Sequence, residues 1–191
     1  MLPMLLVLLL GIADFGRVFA AGITSEAAAR NGAEAVALER LRIPPPTDPL
    51  LQPDYYQALH ELGARTVCRE LSKQPNTTFD PVTQTCSEMP VVAVCVRDGI
   101  DPRCTAADAV ADHPGPIPSE CEQIVNAPYD KTSGGELASH SVEVRVCYRF
   151  TTIWDLRISL PVNTGLNLGD VWLQRTREFV IDCPPGDPSA C

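Results

Sequence analysis

The sequence predicts an α+β protein: a long N-terminal helix, apolar at first and amphipathic later, followed by a small antiparallel-sheet domain held by disulfides. Three observations predict it. Residues 1–43 run from apolar to alanine-rich with no helix breaker before Pro44. All eight cysteines lie on the C-terminal side of the apolar run. Residues 141–150 alternate strictly, with Val142, Val144, Val146, Tyr148 and Phe150 on one side and Glu143, Arg145, Cys147 and Arg149 on the other.

The opening run MLPMLLVLLLGIADFGRVFAAG continues directly into EAAARNGAEAVALERLRI. At about 1.5 Å per residue such a helix reaches roughly 60 Å, about twice the hydrocarbon thickness of a bilayer, so its second half has to stand outside any membrane it crosses. Residues 1–21 are therefore expected to be a transmembrane anchor and residues 22–43 the exposed continuation of the same helix. A cleaved signal peptide with Val18-Phe19-Ala20 at its end is the competing reading. It is disfavoured because no Lys or Arg precedes the apolar core and because Asp14 and Arg17 interrupt it. Three residues apart, Asp14 and Arg17 share a helix face and pair there, which reduces the cost of placing charge at a membrane. Ala21, Ser25, Ala28, Gly32 and Ala35 form a strip of small side chains suited to close helix packing. Alanine is also the best helix former, but Gly32 costs roughly 1 kcal/mol in a helix interior and so favours a packing role.

Pro44, Pro45, Pro46, Pro49 and Pro53 make residues 44–53 a stiff linker. Residues 54–182 are the expected exoplasmic domain. Asp54 is placed to cap a second helix with Tyr55, Leu59, Leu62 and Thr66 along one stripe, widened by Val67 and Leu71. Residues 74–90 read as loop, and Val91 to Arg97, β-branched and bounded by turn residues, as a buried strand. Residues 98–139 are rich in Asp, Pro and Gly without a period. They form an insertion expected to be ordered by a Cys104–Cys121 bridge. A last strand near residues 168–182 sets Val171, Leu173, Phe179 and Ile181 on one face, broken by Arg175 and Arg177, and residues 183–191 are a tail.

The chain of 191 residues carries a net charge of −9 and a pI near 4.7, which argues against nucleic acid and against a polybasic grip on anionic lipid. Cys68, Cys86, Cys95, Cys104, Cys121, Cys147, Cys183 and Cys191 are even in number, sit on one side of the anchor and contain no C-x-x-C pair. That pattern suits disulfides in an oxidising compartment better than zinc or a redox dithiol. His60, His113 and His140 belong to no metal or triad motif and read as surface or loop histidines, and no nucleophile-elbow, zincin or P-loop pattern occurs. A nucleophile built from Cys147 and His140 is disfavoured because an oxidised cysteine does not attack. The expectation is a protein with no catalytic residues, no metal, no cofactor and no small-molecule substrate. Asn76-Thr77-Thr78 is a sequon that marks an exposed loop.

The residues Pro3, Leu5, Leu6, Gly11, Ile12, Asp14, Phe15, Gly16 and Arg17, followed by Ala28, Ala29, Arg30, Gly32 and Ala33, resemble the start of TadE-like proteins, the pilin-like minor components of tight-adherence (Flp) pilus systems. Residues 141–182 are similar to the C-terminal regions of that family more loosely, and the cysteine-rich insertion departs from it. The resemblance implies a bacterial, pilin-like pseudopilin of the cytoplasmic membrane with its domain exoplasmic. Its partners would be other pilin helices and the pilus assembly machinery, and Asp14, Phe15, Gly16, Arg17, Ala28 and Gly32 would serve helix packing and assembly. A stand-alone membrane-anchored binding or adhesin domain is the alternative from another class, and a secreted disulfide-rich hydrolase is a third.

Family members start further upstream, with basic residues, a prepilin-peptidase site and a glutamate. The expectation is that the in-frame sequence before Met1 encodes these, and the genomic sequence tests it: a stop codon directly upstream, with a good ribosome site for Met1, would refute it.

Overall fold

The computed structural model describes residues 2–98, 101–102, 113, 115–126, 140–152, 157–158, 166–167 and 170–181. Helix α1 runs unbroken from Leu2 to Arg42. Leucine and alanine favour it, Arg40 and Arg42 in the last turn suit the negative end of the helix dipole, and the three prolines from Pro44 cannot extend it. Its lower part exposes Met4, Leu5, Leu6, Leu8, Leu9, Leu10 and Ile12. From Asp14 upward one stripe is buried: Asp14, Ala21, Ser25, Ala28, Ala29, Gly32, Ala33, Val36, Ala37 and Arg40 recur at helical spacing. Ser25 is tolerated there because its hydroxyl donates to the Ala21 carbonyl at 2.8 Å.

Helix α2 spans Gln52–Leu71 and returns antiparallel beside α1. It starts three residues earlier than expected. Leu51 is the N-cap without a side-chain bond, and Pro53 lies in the first turn. Asp54 is therefore not the cap but a first-turn acid at the positive end of the dipole. The buried face is Tyr56, Leu59, His60, Gly63, Thr66, Val67, Cys68 and Leu71, rotated from the expected stripe, so that Leu62 is only half-buried. The rotation follows from where α1 comes closest. A Cβ on Gly63 would lie 2.9 Å from side-chain methyls of both Val36 and Val94, and one on Gly32 would lie 2.8 Å from Val67 Cγ2 and 3.3 Å from the Gly63 carbonyl oxygen. Tyr55 instead closes the linker, donating its hydroxyl to the Ile43 carbonyl at 2.6 Å. His60, expected at the surface or in a loop, is 3% exposed on this buried face.

Residues 74–90, expected as loop, include a small ribbon of β1 (Phe79–Asp80) and β2 (Thr85–Cys86), and a disulfide joins Cys86 to Cys68 of α2. The main sheet contains β3 (Val91–Asp98), β4 (Asp101–Pro102), β5 (His140–Thr151) and β8 (Asp170–Ile181) in the antiparallel order β4-β3-β5-β8. Two further short strands, β6 (Arg157–Ile158) and β7 (Leu166–Asn167), pair with each other. Val92, Val94, Val96, Val142, Val144 and Val146 face α1 and α2 and make the principal core.

The second face of β5 was expected to be polar, and it is buried too. Ser141, Glu143, Arg145 and Cys147 are all covered. The cover is α3 (Ser119–Val125), which lies within the insertion and contributes Cys121 and Val125 to a second cluster with Val91, Ala93, Cys95 and Cys147. Charge survives there because it is compensated. Arg145 Nε meets Glu143 Oε1 at 2.9 Å, and its Nη1 donates to the Ile124 carbonyl at 2.9 Å.

The expected Cys104–Cys121 bridge is corrected as well. Cys121 is bonded to Cys147, which staples α3 to the sheet across 26 residues of chain. Cys95 is also disulfide-bonded. Cys104, Cys183 and Cys191, with most of the insertion and the tail, lie outside the described residues.

Gly63→Ala should destabilise the domain by about 1–2 kcal/mol, because overpacking against two stiff valines outweighs the gain in helix propensity. A lower urea midpoint with an unchanged slope checks this. A midpoint at or above that of the parent would show that the two helices have room to part.

Candidate functional site

The functional candidate is α1 itself, and the two sides of the helix have different chemistry. On the inner side Asp14 is buried, and its Oδ1 meets Arg17 Nη1 at 3.4 Å. The Arg17 guanidinium lies over the Phe150 ring, 5.2 Å from its centroid. Phe150 belongs to a small cluster with Ala21, Tyr148 and Leu173, flanked by Val18 and Val171. The pair therefore joins the lower end of the sheet to the helix, at the level where the apolar rod emerges from the domain.

Ala28 and Gly32 sit in the interior, against α2 and β5. The strip of small residues, expected to receive a neighbouring helix, is occupied by the chain's own fold: Ala21, Ser25, Ala28 and Gly32 are buried and Ala35 is half-buried. A one-residue step in phase decides the difference, because the small residues lie on the same side as Val36 and Asp14.

Phe15 and Gly16 face outward. Phe15 is 73% exposed, and the outward stripe continues through Phe19, Ile23, Arg30, Glu34, Leu38 and Leu41. The four-residue steps Phe15, Phe19 and Ile23 were the legible signal for this stripe, which sequence reasoning did not single out. Arg175 and Arg177, which interrupt the last strand's apolar face, meet α1. Arg177 pairs with Glu26, and a Cβ on Gly22 would touch Arg175 Nη2 at 3.4 Å.

A second feature is a small cavity between α2, the Cys68–Cys86 bridge and Pro90, lined by His60, Glu61, Arg65 and His113. Burial pushes the His113 imidazole below its ordinary value of 6.5. Among the described residues no group of three His, Cys, Asp or Glu side chains is placed to hold a metal ion.

The architecture is α+β: a long helix, apolar and exposed at its start, whose later part packs into a domain with an antiparallel sheet and disulfides. Residues 1–34 match the family model described as TadE-like protein. The match ends within α1, so the loose likeness over residues 141–182 falls outside it. No curated protein and no solved structure matches the chain.

Two measurements follow. Non-reducing digestion of protein from its native compartment should yield linked peptides for Cys68–Cys86 and Cys121–Cys147, and free thiols at these four positions would contradict an exoplasmic domain. For His113 the depressed folded pKa means that the unfolded chain binds the proton more readily. Stability from this group is present above the ordinary value of 6.5 and is lost as pH falls through the folded value. Thermal melts of the parent should drop faster with acidification than those of His113→Asn, and parallel curves would show that this imidazole does not contribute.

Proposed function

We propose that this protein is a minor pseudopilin of a tight-adherence pilus, held in the cytoplasmic membrane by the lower part of α1, with the sheet domain on the exoplasmic side. The observation that carries the reading is the TadE-like match over residues 1–34, which falls on a helix whose leucines and phenylalanines from Leu5 to Phe19 are exposed. A soluble domain does not leave such a rod in water, because each exposed leucine or phenylalanine forgoes about 1.5–3 kcal/mol of burial. A membrane covers the rod while the subunit is stored, and neighbouring pilin helices cover it in a filament.

The packing surface in this reading is the outward stripe of Phe15, Phe19 and Ile23, with Gly16 beside it allowing close approach. Asp14 and Arg17 fix how the domain is set on the rod, and Ala28 and Gly32 hold the domain to it. The protein acts by assembly and through it in surface adhesion, with no chemical step. The disulfides suit an oxidising exoplasmic compartment.

Replacing both Phe15 and Phe19 by Ala should leave the domain folded and the protein in the membrane fraction, while reducing pili per cell severalfold. The loss of two large contact side chains, about 1–3 kcal/mol each, falls on the helix-to-helix contact. Asp14→Leu with Arg17→Leu should also keep the anchor while disturbing the domain's seat over Phe150. Normal piliation in the Phe15/Phe19 strain, at normal membrane levels, would refute assembly through this stripe.

A further inference from the structure

Eight cysteines allow four bridges, and the structure gives two of them, Cys68–Cys86 and Cys121–Cys147. Cys95 is bonded as well, so its partner is Cys104, Cys183 or Cys191.

The register of the sheet separates these three. β4 turns back along β3, with Arg97 opposite Pro102 and Asp98 opposite Asp101. Each further step pairs one residue earlier on β3 with one residue later on β4, which sets position 104 opposite Cys95, two steps beyond Arg97 and Pro102. Opposed residues of an antiparallel pair point to the same face with Cα atoms about 4.5–5.5 Å apart, inside the span of about 4.4–6.8 Å that a disulfide needs. That face is the one covered by α3, where Cys95 lies with Cys121 and Cys147.

The tail starts from a different place. Ile181 packs in the core on the α1 and α2 side, and β5 stands between β8 and β3. Val180 is level with Arg97 across Ser141, so Ile181 and Cys95 are about 14 Å apart, three residues along the strands and two strand spacings across. Two residues reach at most about 7 Å, so a bond from Cys183 to Cys95 would need the chain to reverse at full stretch and change face. Cys191 has the reach, but only in one arrangement among the many open to the residues before it. Cys104 is brought to Cys95 by pairing that β3 and β4 already make.

We propose that Cys95 is bonded to Cys104 and that Cys183 and Cys191 close the last bridge within the tail. The inference stands apart from the pilus reading and needs only an oxidising compartment. Each bridge joins two sulfurs as their thiols give up two protons and two electrons to an incoming disulfide, which leaves as a dithiol. The β3–β4 edge of the sheet is then covalently closed. With Cys121–Cys147, the bond ties both ends of residues 105–120 to the sheet face turned away from α1, so a protease cut within that stretch leaves the domain in one covalent piece.

Peptide mapping of the unreduced full chain, alkylated on isolation of the membranes, tests it. Trypsin, cutting after Arg177, separates residues 178–191 from every other cysteine. That peptide should be released alone, two hydrogens lighter than after reduction. A glutamate-specific protease then cuts after Glu88 and Glu120, which parts Cys95 from Cys86 and Cys104 from Cys121. Residues 89–97 should remain linked to residues 104–120 until a reductant is added. In the Cys104→Ser chain a single thiol should become alkylatable on denaturation, and it should lie in residues 89–97.

Recovery of residues 178–191 only in linkage to residues 89–97 or 104–120 would overturn the proposal. So would a free thiol in residues 178–191 of the Cys104→Ser chain, or free thiols at Cys95, Cys104, Cys183 and Cys191 in the parent.

Discussion

The close approach of α1 and α2 at Gly32 and Gly63 is the constraint on which the rest of the structure depends. Neither position has room for a methyl group without displacing valine side chains, and Gly32 also lies against the Gly63 backbone. With the two backbones this near, both helices reach the same sheet, and Val36, Val67, Val94 and Val144 meet in one core. Helix propensity is sacrificed at both glycines, and packing density more than offsets it. The alanines of α1 serve the same end, since side chains larger than Ala28, Ala29 or Ala33 would push the helix off the sheet.

Because that seat is formed by the upper part of an unbroken helix, the lower part inherits its direction. A break between anchor and domain would let the two move independently; a continuous backbone with Asp14, Arg17 and Phe150 joined at the junction makes the domain a rigid extension of the rod. One helix thus works in two environments. Its lower part is apolar all round, as a lipid or helix-bundle environment requires, and its upper part has a buried small-residue stripe and an outward stripe that turns polar at Arg30 and Glu34.

On the far side of the sheet, α3 shows how an irregular insertion is held. Seven residues of helix cannot supply much apolar burial, so a covalent bridge and a buried ion pair share the task. A disulfide closing 26 residues stabilises by about 3–4 kcal/mol in the chain-entropy account. Arg145 adds geometry by reaching from the strand to a carbonyl in the last turn of α3. The result is a three-layer arrangement, helices on one face and a short stapled helix on the other.

The long helix, the β3 and β5 strands, the bounded last strand and the use of cysteines as bridges were legible in the sequence, because each is set by a local pattern: apolar periodicity, strict alternation, and cysteine placement relative to an apolar run. The Asp14-Phe15-Gly16-Arg17 block carried the family likeness for the same reason, as a local signature on one helix. Which side of α1 would be covered was not local. The small-residue strip fits a foreign helix and its own sheet equally well, and only the position of Gly63 on α2 and the valines of β3 and β5 assigned it to the interior. The same holds for His60, which has no apolar signature yet lies on the face that α2 turns inward, and for the charged side of β5, whose alternation is that of an exposed face until α3 covers it. Cys121 had several possible partners along the chain. The pairing with Cys147 was decided by tertiary structure, since a bridge forms between the cysteines that folding brings within bonding distance, here 5.7 Å between Cα atoms, and sequence separation says nothing about that distance.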